Sequence, residues 1–334
     1  MAIFQESGAL NNSVFGKSQE PIKMLIEAKE EAWQKQSVVE KVFAMNESNN
    51  FAEKYAGMTA MGGFKPTAEG GEYGRDDMQE GFSKVIENVT WKDAFEITQE
   101  MIEDSKTIDL RQRPTAFVNG YYRTREQFGA ALLGSATAAD KVTFSGTDFS
   151  TLCADGKNVF AIDHPTKVSG AVQSNKYTDA FSADALSYGE EKMQNFRGDN
   201  GDILGVSPDT IIIPNVAMLK KTVFAAIGAD KDPATANNGF NFQFGRWNVI
   251  VWSYLNQYVT ATAGVYPWFL LDSTWNEENA GAIWQDRIKL TIKSTIEDNN
   301  DNNVWRGRAR FNAGFGDFRA LLAGGCAAGS TFTA

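Results

Sequence analysis

His164 is the only histidine among 334 residues, and it directly follows Asp163. An aspartate beside a histidine is the pairing used in general acid–base chemistry, where a carboxylate orients an imidazole. The spacing defeats it here. Neighbours in an extended segment point to opposite faces, so Asp163 and His164 do not form an acid–base pair. A single imidazole offers no histidine-rich set to a transition metal, and His164 is assigned a structural role. The acidic turn from Glu297 to Asp301 has the composition of a calcium loop but lacks its central glycine and distal glutamate, so it reads as a solvated β-turn. The NAGFG stretch at 312–316 places two glycines close together without the helix start of a dinucleotide site. RGD at 197–199 is a three-letter match that chance supplies, and neither a nucleophile elbow nor a P-loop is present. These readings predict no catalytic residue, no cofactor and no metal site. A metal-dependent hydrolase using the acidic loops, with Asp163 and Asp301, is the remaining catalytic alternative.

The segments that must hold His164 are better defined than any chemistry around it. A β-rich stretch ending in Asp163-His164-Pro165 leads through a polar loop to a helix that Ser182 or Asp184 can cap. Leu186, Met193 and Phe196 fall near one face of that helix. RGDNG at 197–201 is expected to stop it, since glycine and asparagine accept the positive φ of a helix end. Ile211, Ile212 and Ile213, bounded by Pro208 and Pro214, predict a short strand buried on both faces.

Composition sets the broad class. With 43% hydrophobic and 22% charged residues the chain is an ordinary globular protein, and its length suggests about two domains. No apolar run reaches the roughly 18 residues of a membrane span, and the N-terminus lacks a basic flank and signal-like core, so a cytoplasmic origin is expected. Cys153 and Cys326 stand far apart without metal-ligand spacing, which predicts free thiols. A formal net charge of −10 argues against a general nucleic-acid binder.

Taken in order, residues 1–20 read as a polar, irregular and mobile arm. Pro21 then opens an amphipathic helix marked by Ile22, Leu25, Ile26, Trp33, Val42 and Phe43. Glycines 57, 62, 63, 70, 71, 74 and 81 interrupt strand-like segments, predicting a long β-hairpin with its tip near GFKPTAEGGEYG. Val85, Val89 and Trp91 are placed on one face of a strand over 84–91. A two-stranded hairpin is marginal alone, so it needs a partner surface. A short helix follows at 98–106, and Pro114 opens a longer one with Phe117, Tyr121, Thr124, Phe128, Ala131 and Leu132 along a buried seam. A helix over 215–227 carries Met218, Leu219 and Phe224, a loop fills 230–241, and strands are predicted at 247–254 and 265–271. Over 286–311, Ile288, Leu290, Ile292 and Ile296 alternate with Arg287, Lys289 and Lys293. Across the turn, Arg306, Arg308 and Arg310 alternate with apolar residues. The result is a hairpin with one cationic face. Carboxylates of the same or a neighbouring subunit are its expected partners, ahead of DNA phosphate.

The order of AIDHPT, SN, the GDNG turn and VSPDTIIIP, with MIEDS at 101–105 and RARFNAGFGDFRAL at 308–321, resembles the major head protein family of phage Mu and its relatives. The resemblance covers roughly the last two thirds of the chain. It implies the α+β fold of tailed-phage major capsid proteins, with an N-terminal arm, extended β-hairpin loop, long spine helix, peripheral domain and inserted axial domain. The corresponding divisions are 1–50 for arm and helix, 51–96 for the extended loop, 97–165 and 285–334 for the peripheral domain, and 166–284 for the axial domain. The implied role is a shell subunit of an icosahedral phage head, joined to copies of itself as pentamers and hexamers around packaged double-stranded DNA. Its acidity suits a wall that does not grip the genome. A separate scaffolding protein, a portal and decoration proteins are expected partners, with assembly in the host cytoplasm and no membrane. An encapsulin-like compartment is the alternative shell. Phe64, Lys65, Glu69 and Tyr73 of the hairpin, Trp91, and Arg306, Arg308 and Arg310 are the expected subunit contacts. Lys65 is read as a free surface lysine, not a cross-link. The arm and the hairpin are expected to rest only on sister copies.

Overall fold

The computed structural model describes residues 3–6, 13–58, 66–67, 69, 72, 80–104, 107–167, 170–228, 241–297 and 302–332. Strand β1 (Ile3–Glu6) precedes helix α1 (Ser13–Gln36), the single turn α2 (Val39–Val42) and strand β2 (Ala44–Glu47). The leading segment is therefore not irregular throughout, and Pro21 lies inside α1 instead of opening it. The helix expected to continue to Phe43 breaks at Ser37 and Val38. There Glu126 accepts hydrogen bonds from Ser37 Oγ at 2.8 Å and Val38 N at 2.9 Å, satisfying groups that the break would leave bare.

Strands β3 (Ala52–Met58) and β4 (Glu80–Glu87) form the expected antiparallel hairpin, and β5 (Val89–Ile97) follows at once. Asn88 divides what the sequence suggested was one strand. Among the described residues β4 pairs only with β3, whereas β5 joins a different sheet. Val85 is consequently exposed while Ile86 is buried, so the predicted shared face of Val85, Val89 and Trp91 does not exist. Helix α3 (Gln99–Glu103) leads to α4 (Thr107–Ser135), which begins before Pro114.

Strands β6 (Lys141–Phe144) and β7 (Thr147–Ser150) are joined by Ser145 and Gly146, both at positive φ, the geometry of a tight two-residue hairpin. The short pair β8 (His164–Pro165) and β9 (Val172–Gln173) precedes helix α5 (Ala183–Gln194), where the Ser182 side chain accepts from Ala185 N. This helix stops at Asn195, before RGDNG, and Gly201 at φ 93° serves the following turn. Strand β10 (Thr210–Pro214), helix α6 (Ala217–Ile227) and strands β11 (Asn248–Trp252) and β12 (Trp268–Leu271) follow. Helix α7 (Ser273–Asn279), the long strands β13 (Ala282–Ile296) and β14 (Asn303–Phe315) and the short β15 (Leu321–Gly324) complete the described chain.

Two sheets organise the core. One has β14 between β13 and β5, with β1 and β2 both running parallel to β13 along its other edge. The leading segment thus pairs with its own chain, contrary to the expectation that it rests only on sister copies. The other sheet has the order β11-β10-β12-β15. β15 lies in the stretch 285–334 assigned to the peripheral domain, yet it pairs with β12 of the stretch assigned to the axial domain.

Alternation through the second sheet divides its side chains cleanly between two cores. Ile212, Phe269, Leu271, Leu321 and Ala323 face a cluster containing Phe128, Trp284 and Phe311. Ile211, Ile213, Trp268, Leu270 and Leu322 face α5 and α6 through Leu186, Met193, Leu219 and Val223. Each such aliphatic side chain, fully buried, stabilises the fold by about 1.5–3 kcal/mol before entropy is counted. On α6 the buried stripe is Leu219, Val223 and Ile227, while Met218 and Phe224 are exposed, which corrects the predicted apolar positions.

Candidate subunit interface

The root of the β3–β4 hairpin is held at its junction with the body. Asn88 Nδ2 donates to Ser48 Oγ at 3.1 Å and to the Asn50 carbonyl at 2.9 Å. Ser48 Oγ in turn donates to Glu53 Oε1 at 2.9 Å, and that hydroxyl is the main reason the Glu53 carboxyl lies below its ordinary pKa. Ile86 is buried against Gly314 of β14, where an added Cβ would meet it at 3.0 Å, and Tyr55 donates to Gln285 Oε1 at 3.1 Å. Further out, Lys167 Nζ donates to the carbonyls of Glu80 and Gly81. The root therefore lies across one end of the outer face of the first sheet, partly supported by its own subunit.

A cavity of about 590 Å³ opens beside this root, lined among others by Tyr55, Phe82, Trp275 and Phe318. Asp199 and Arg319 form part of its polar wall. Arg319 donates to the Arg197 carbonyl at 3.0 Å and sits 3.3 Å from Asp199 Oδ1. The RGD triplet is thus a turn tied to its own chain, with the Asp199 side chain mostly buried.

Beyond the root, the same sheet face is cationic. Lys293 is in register with Arg306, and Arg308 is in register with both Thr291 and Lys92. Arg306 has Glu297 at 3.4 Å and Lys289 has Glu47 at 2.9 Å, all exposed pairs of little energetic weight. Among the described residues no carboxylate pairs with Arg308 or Arg310, and Arg310 Nε is buried without a hydrogen-bond partner. The predicted alternation holds on β14 but not along β13. Register shifts between Asp286 and Ile288 and between Ile288 and Thr291 change the phase, leaving Ile288 only half-buried.

Of the other expected contacts, Phe64, Lys65 and Tyr73 lie outside the described residues, and Glu69 is exposed in a turn. Trp91 is half-buried: its ring stacks on Phe311 at 4.9 Å between centroids, and its Nε1 donates to the Phe311 carbonyl at 3.1 Å. Those contacts belong to the subunit's own core.

His164 is fully buried and stacked on Phe318 at 3.8 Å. Asp163 points outward to Lys157 at 2.5 Å, as the alternation required, but His164 has a different carboxylate that the sequence reading missed. Its Nδ1 lies 2.6 Å from Asp155 Oδ2, and its Nε2 lies 3.2 Å from Asn175 Oδ1. Asn175 Nδ2 donates to the carbonyls of Val159 at 2.7 Å and Leu321 at 3.0 Å. The set stitches the 155–175 loops to β15, and Phe318 and the surrounding chain close it to solvent. The DG dipeptide at 155–156 marked a turn, yet nothing in the sequence aimed it at a residue nine positions later. Asp301, the other carboxylate of the hydrolase alternative, lies outside the described residues. Among the described residues no three histidine, cysteine, aspartate or glutamate side chains stand together as a metal site, and no helix is long and apolar enough to cross a membrane.

The family model described as phage capsid protein matches residues 82–324. No curated protein sequence matches the chain. Among solved structures, the capsid of Ralstonia phage GP4 is similar at a TM-score of 0.55 and 10% identity, over 86% of this chain and 90% of that one. The capsid of cyanophage P-SCSP1u is similar at a TM-score of 0.52 and 10% identity, over 86% and 87% of the two chains. The fold is the mixed helix-and-sheet fold of tailed-phage major capsid proteins.

Proposed function

Since the chain belongs to the phage capsid protein family and is a structural subunit of a phage head shell, we propose that it closes into icosahedral particles through pentamers and hexamers of itself, enclosing double-stranded DNA. The carrying observation is the hairpin. Among the described residues β3 and β4 pair only with each other, and Phe51 at their base and Val85 on β4 are exposed. Such a ribbon is marginal in water, and a neighbouring copy supplies the missing support. Phe64, Lys65, Glu69 and Tyr73 are assigned to that contact.

In this reading the first sheet with α4 forms the peripheral unit, and residues 166–284 with β15 form the axial unit around the symmetry axes. A scaffolding protein, a portal and decoration proteins act in trans, and assembly takes place in the host cytoplasm. Many modest interfaces add up to a wall that resists pressure while each stays weak enough to correct errors. No catalytic step is assigned to any residue. The family match favours this reading over an enzyme compartment.

The test is electron microscopy of the expressed chain, alone and with its assembly helper, with an assay for enclosed nucleic acid. Closed shells of uniform diameter are expected. A chain that stayed monomeric under every assembly condition would end the proposal.

A further inference from the structure

The orientation of the Asn175 amide fixes where protons sit around His164. Its Nδ2 is surrounded by the carbonyls of Val159 at 2.7 Å, Leu321 at 3.0 Å and Phe318 at 3.3 Å, all of them acceptors. Its Oδ1 accepts from the Ala161 amide at 3.1 Å. Turning the amide over would set an oxygen against three carbonyls and an NH2 group against an N–H, so Oδ1 is the atom that faces His164 Nε2 at 3.2 Å. Nε2 therefore carries a proton. Across the ring, Nδ1 lies 2.6 Å from Asp155 Oδ2, and two bare lone pairs do not meet at that distance, so a second proton lies between them.

The surroundings decide which atom holds that second proton. Asp155 Oδ1 accepts from the Lys157 amide at 3.0 Å, a contact that favours the carboxylate. The imidazole lies flat on Phe318 with the planes 4° apart, and the face of an aromatic ring attracts a cation. The His164 and Asp155 side chains are 0% and 4% exposed, so opposite charges there are little screened. The other charged groups nearby are matched among themselves. Asp163 pairs with Lys157 at 2.5 Å, Arg319 pairs with Asp317 at 3.2 Å and Asp199 at 3.3 Å, and Lys84 donates to Ser150 Oγ at 3.2 Å. Burial keeps Cys153 a neutral thiol.

We propose that His164 and Asp155 form a buried imidazolium–carboxylate pair, oriented by Asn175, that acts as a proton-dependent clasp between the β8–β9 loops and β15. The clasp sits where the chain crosses between cores: Val159 and Phe160 belong to one, Tyr177 and Phe181 to the other. Asn175 joins the two sides, since its own carbonyl accepts from Ala323 N of β15 at 2.9 Å. Release of one proton to solvent turns a ring nitrogen into a bare acceptor facing another acceptor, and an uncompensated polar contact in such a site is costly. The stability that the clasp adds is thus present while the proton is held and is lost as pH rises through its release.

Because His164 is the only histidine, the full chain made with histidine isotope-labelled at both ring nitrogens gives a single pair of ring signals by NMR. At neutral pH both nitrogens should appear protonated, each coupled to its own hydrogen. One bare nitrogen in the native chain overturns the proposal. In D155N the new amide can donate to Nδ1, so the ring should lose one of its two N–H signals at neutral pH, and a ring that stays doubly protonated overturns the proposal. Hydrogen exchange at the Ala161 and Ala323 amides should also rise about tenfold in D155N while the β13–β14 amides stay as in wild type. Equal protection at Ala161 and Ala323 in both chains overturns the clasp. If D155N does not fold, the wild-type signals followed upward in pH carry the test. Those two amides should lose protection, relative to β13–β14, at the pH where one N–H signal disappears, and protection that outlasts the proton overturns the proposal. None of these measurements reads assembly, so a failure of the shell reading leaves them unchanged.

Discussion

Arg125 of α4 and Asp286 of β13 meet in a two-point ion pair, Nη1 to Oδ1 at 2.8 Å and Nη2 to Oδ2 at 3.0 Å, with both side chains about nine-tenths buried. The guanidinium also lies 4.8 Å from the Trp284 ring centroid, and Trp284 Nε1 donates to Asp286 Oδ1 at 3.1 Å. This clasp fastens the long helix to the central hairpin. Removing one partner leaves a buried charge alone, so Asp286→Ala is expected to cost about 3–5 kcal/mol, whereas Arg125→Met with Asp286→Leu costs less than either single change. Denaturant unfolding of the dissociated subunit measures this. A single-variant cost below about 1 kcal/mol would contradict the clasp.

Two glycines should respond to alanine with opposite signs. A Cβ at Gly324 would lie 2.3 Å from Trp268 Cε2, against a ring that is fully buried. Gly324→Ala should therefore destabilise by about 1–3 kcal/mol or more, the cost of overpacking. Nothing lies within 4 Å of the corresponding position at Gly120 in α4, so Gly120→Ala should stabilise by about 0.5–1 kcal/mol. Paired thermal melts decide both signs.

Glu126 supplies a pH dependence. Burial raises its pKa above the ordinary carboxylate value, partly countered by the Ser37 hydroxyl and the Val39 and Val38 amides. For a raised carboxyl, the contribution to stability is fully present below the unfolded-state pKa and is lost as pH rises through the folded-state value. Glu126→Gln can keep the same acceptor oxygen without the charge. The stability difference, variant minus wild type, should become more positive from about pH 4 to about pH 8. A flat difference across that range would remove this assignment.

Both cysteines are free and buried. Burial lifts the Cys153 thiol well above its usual pKa and pushes Cys326 up to about 12, so neither presents a thiolate near neutrality. Neither should react with a thiol reagent in the native subunit, and both should react once it is unfolded. Labelling before and after denaturant, read by mass spectrometry, checks this. Rapid labelling of the native subunit would place a thiol at the surface.

Local periodicity revealed elements whose two faces differ or are both apolar. The isoleucines at 211–213 announced a strand covered on both sides, and Ser182 announced a helix start. Both readings depend only on neighbours in sequence. The α6 stripe was misread because Met218 and Phe224 are apolar yet point outward, and only Leu219, Val223 and Ile227 share the spacing that turns inward. The stacking of Trp91 on Phe311 of its own core was equally illegible in the sequence. An aromatic residue next to a glycine-rich hairpin suits a neighbour as well as it suits its own core.

Residue order alone determined that the chain makes a two-faced cationic ribbon, a ribbon-like hairpin and a helix with an aromatic seam, because alternation and helical spacing follow from backbone geometry. Tertiary structure decided the partners: β15 beside β12, β1 along β13, Asp155 beside His164, and Asn88 as the point where one strand becomes two. Those choices bring together residues tens to hundreds of positions apart. They are settled by how volumes and hydrogen bonds fit across the whole molecule, which no local pattern encodes.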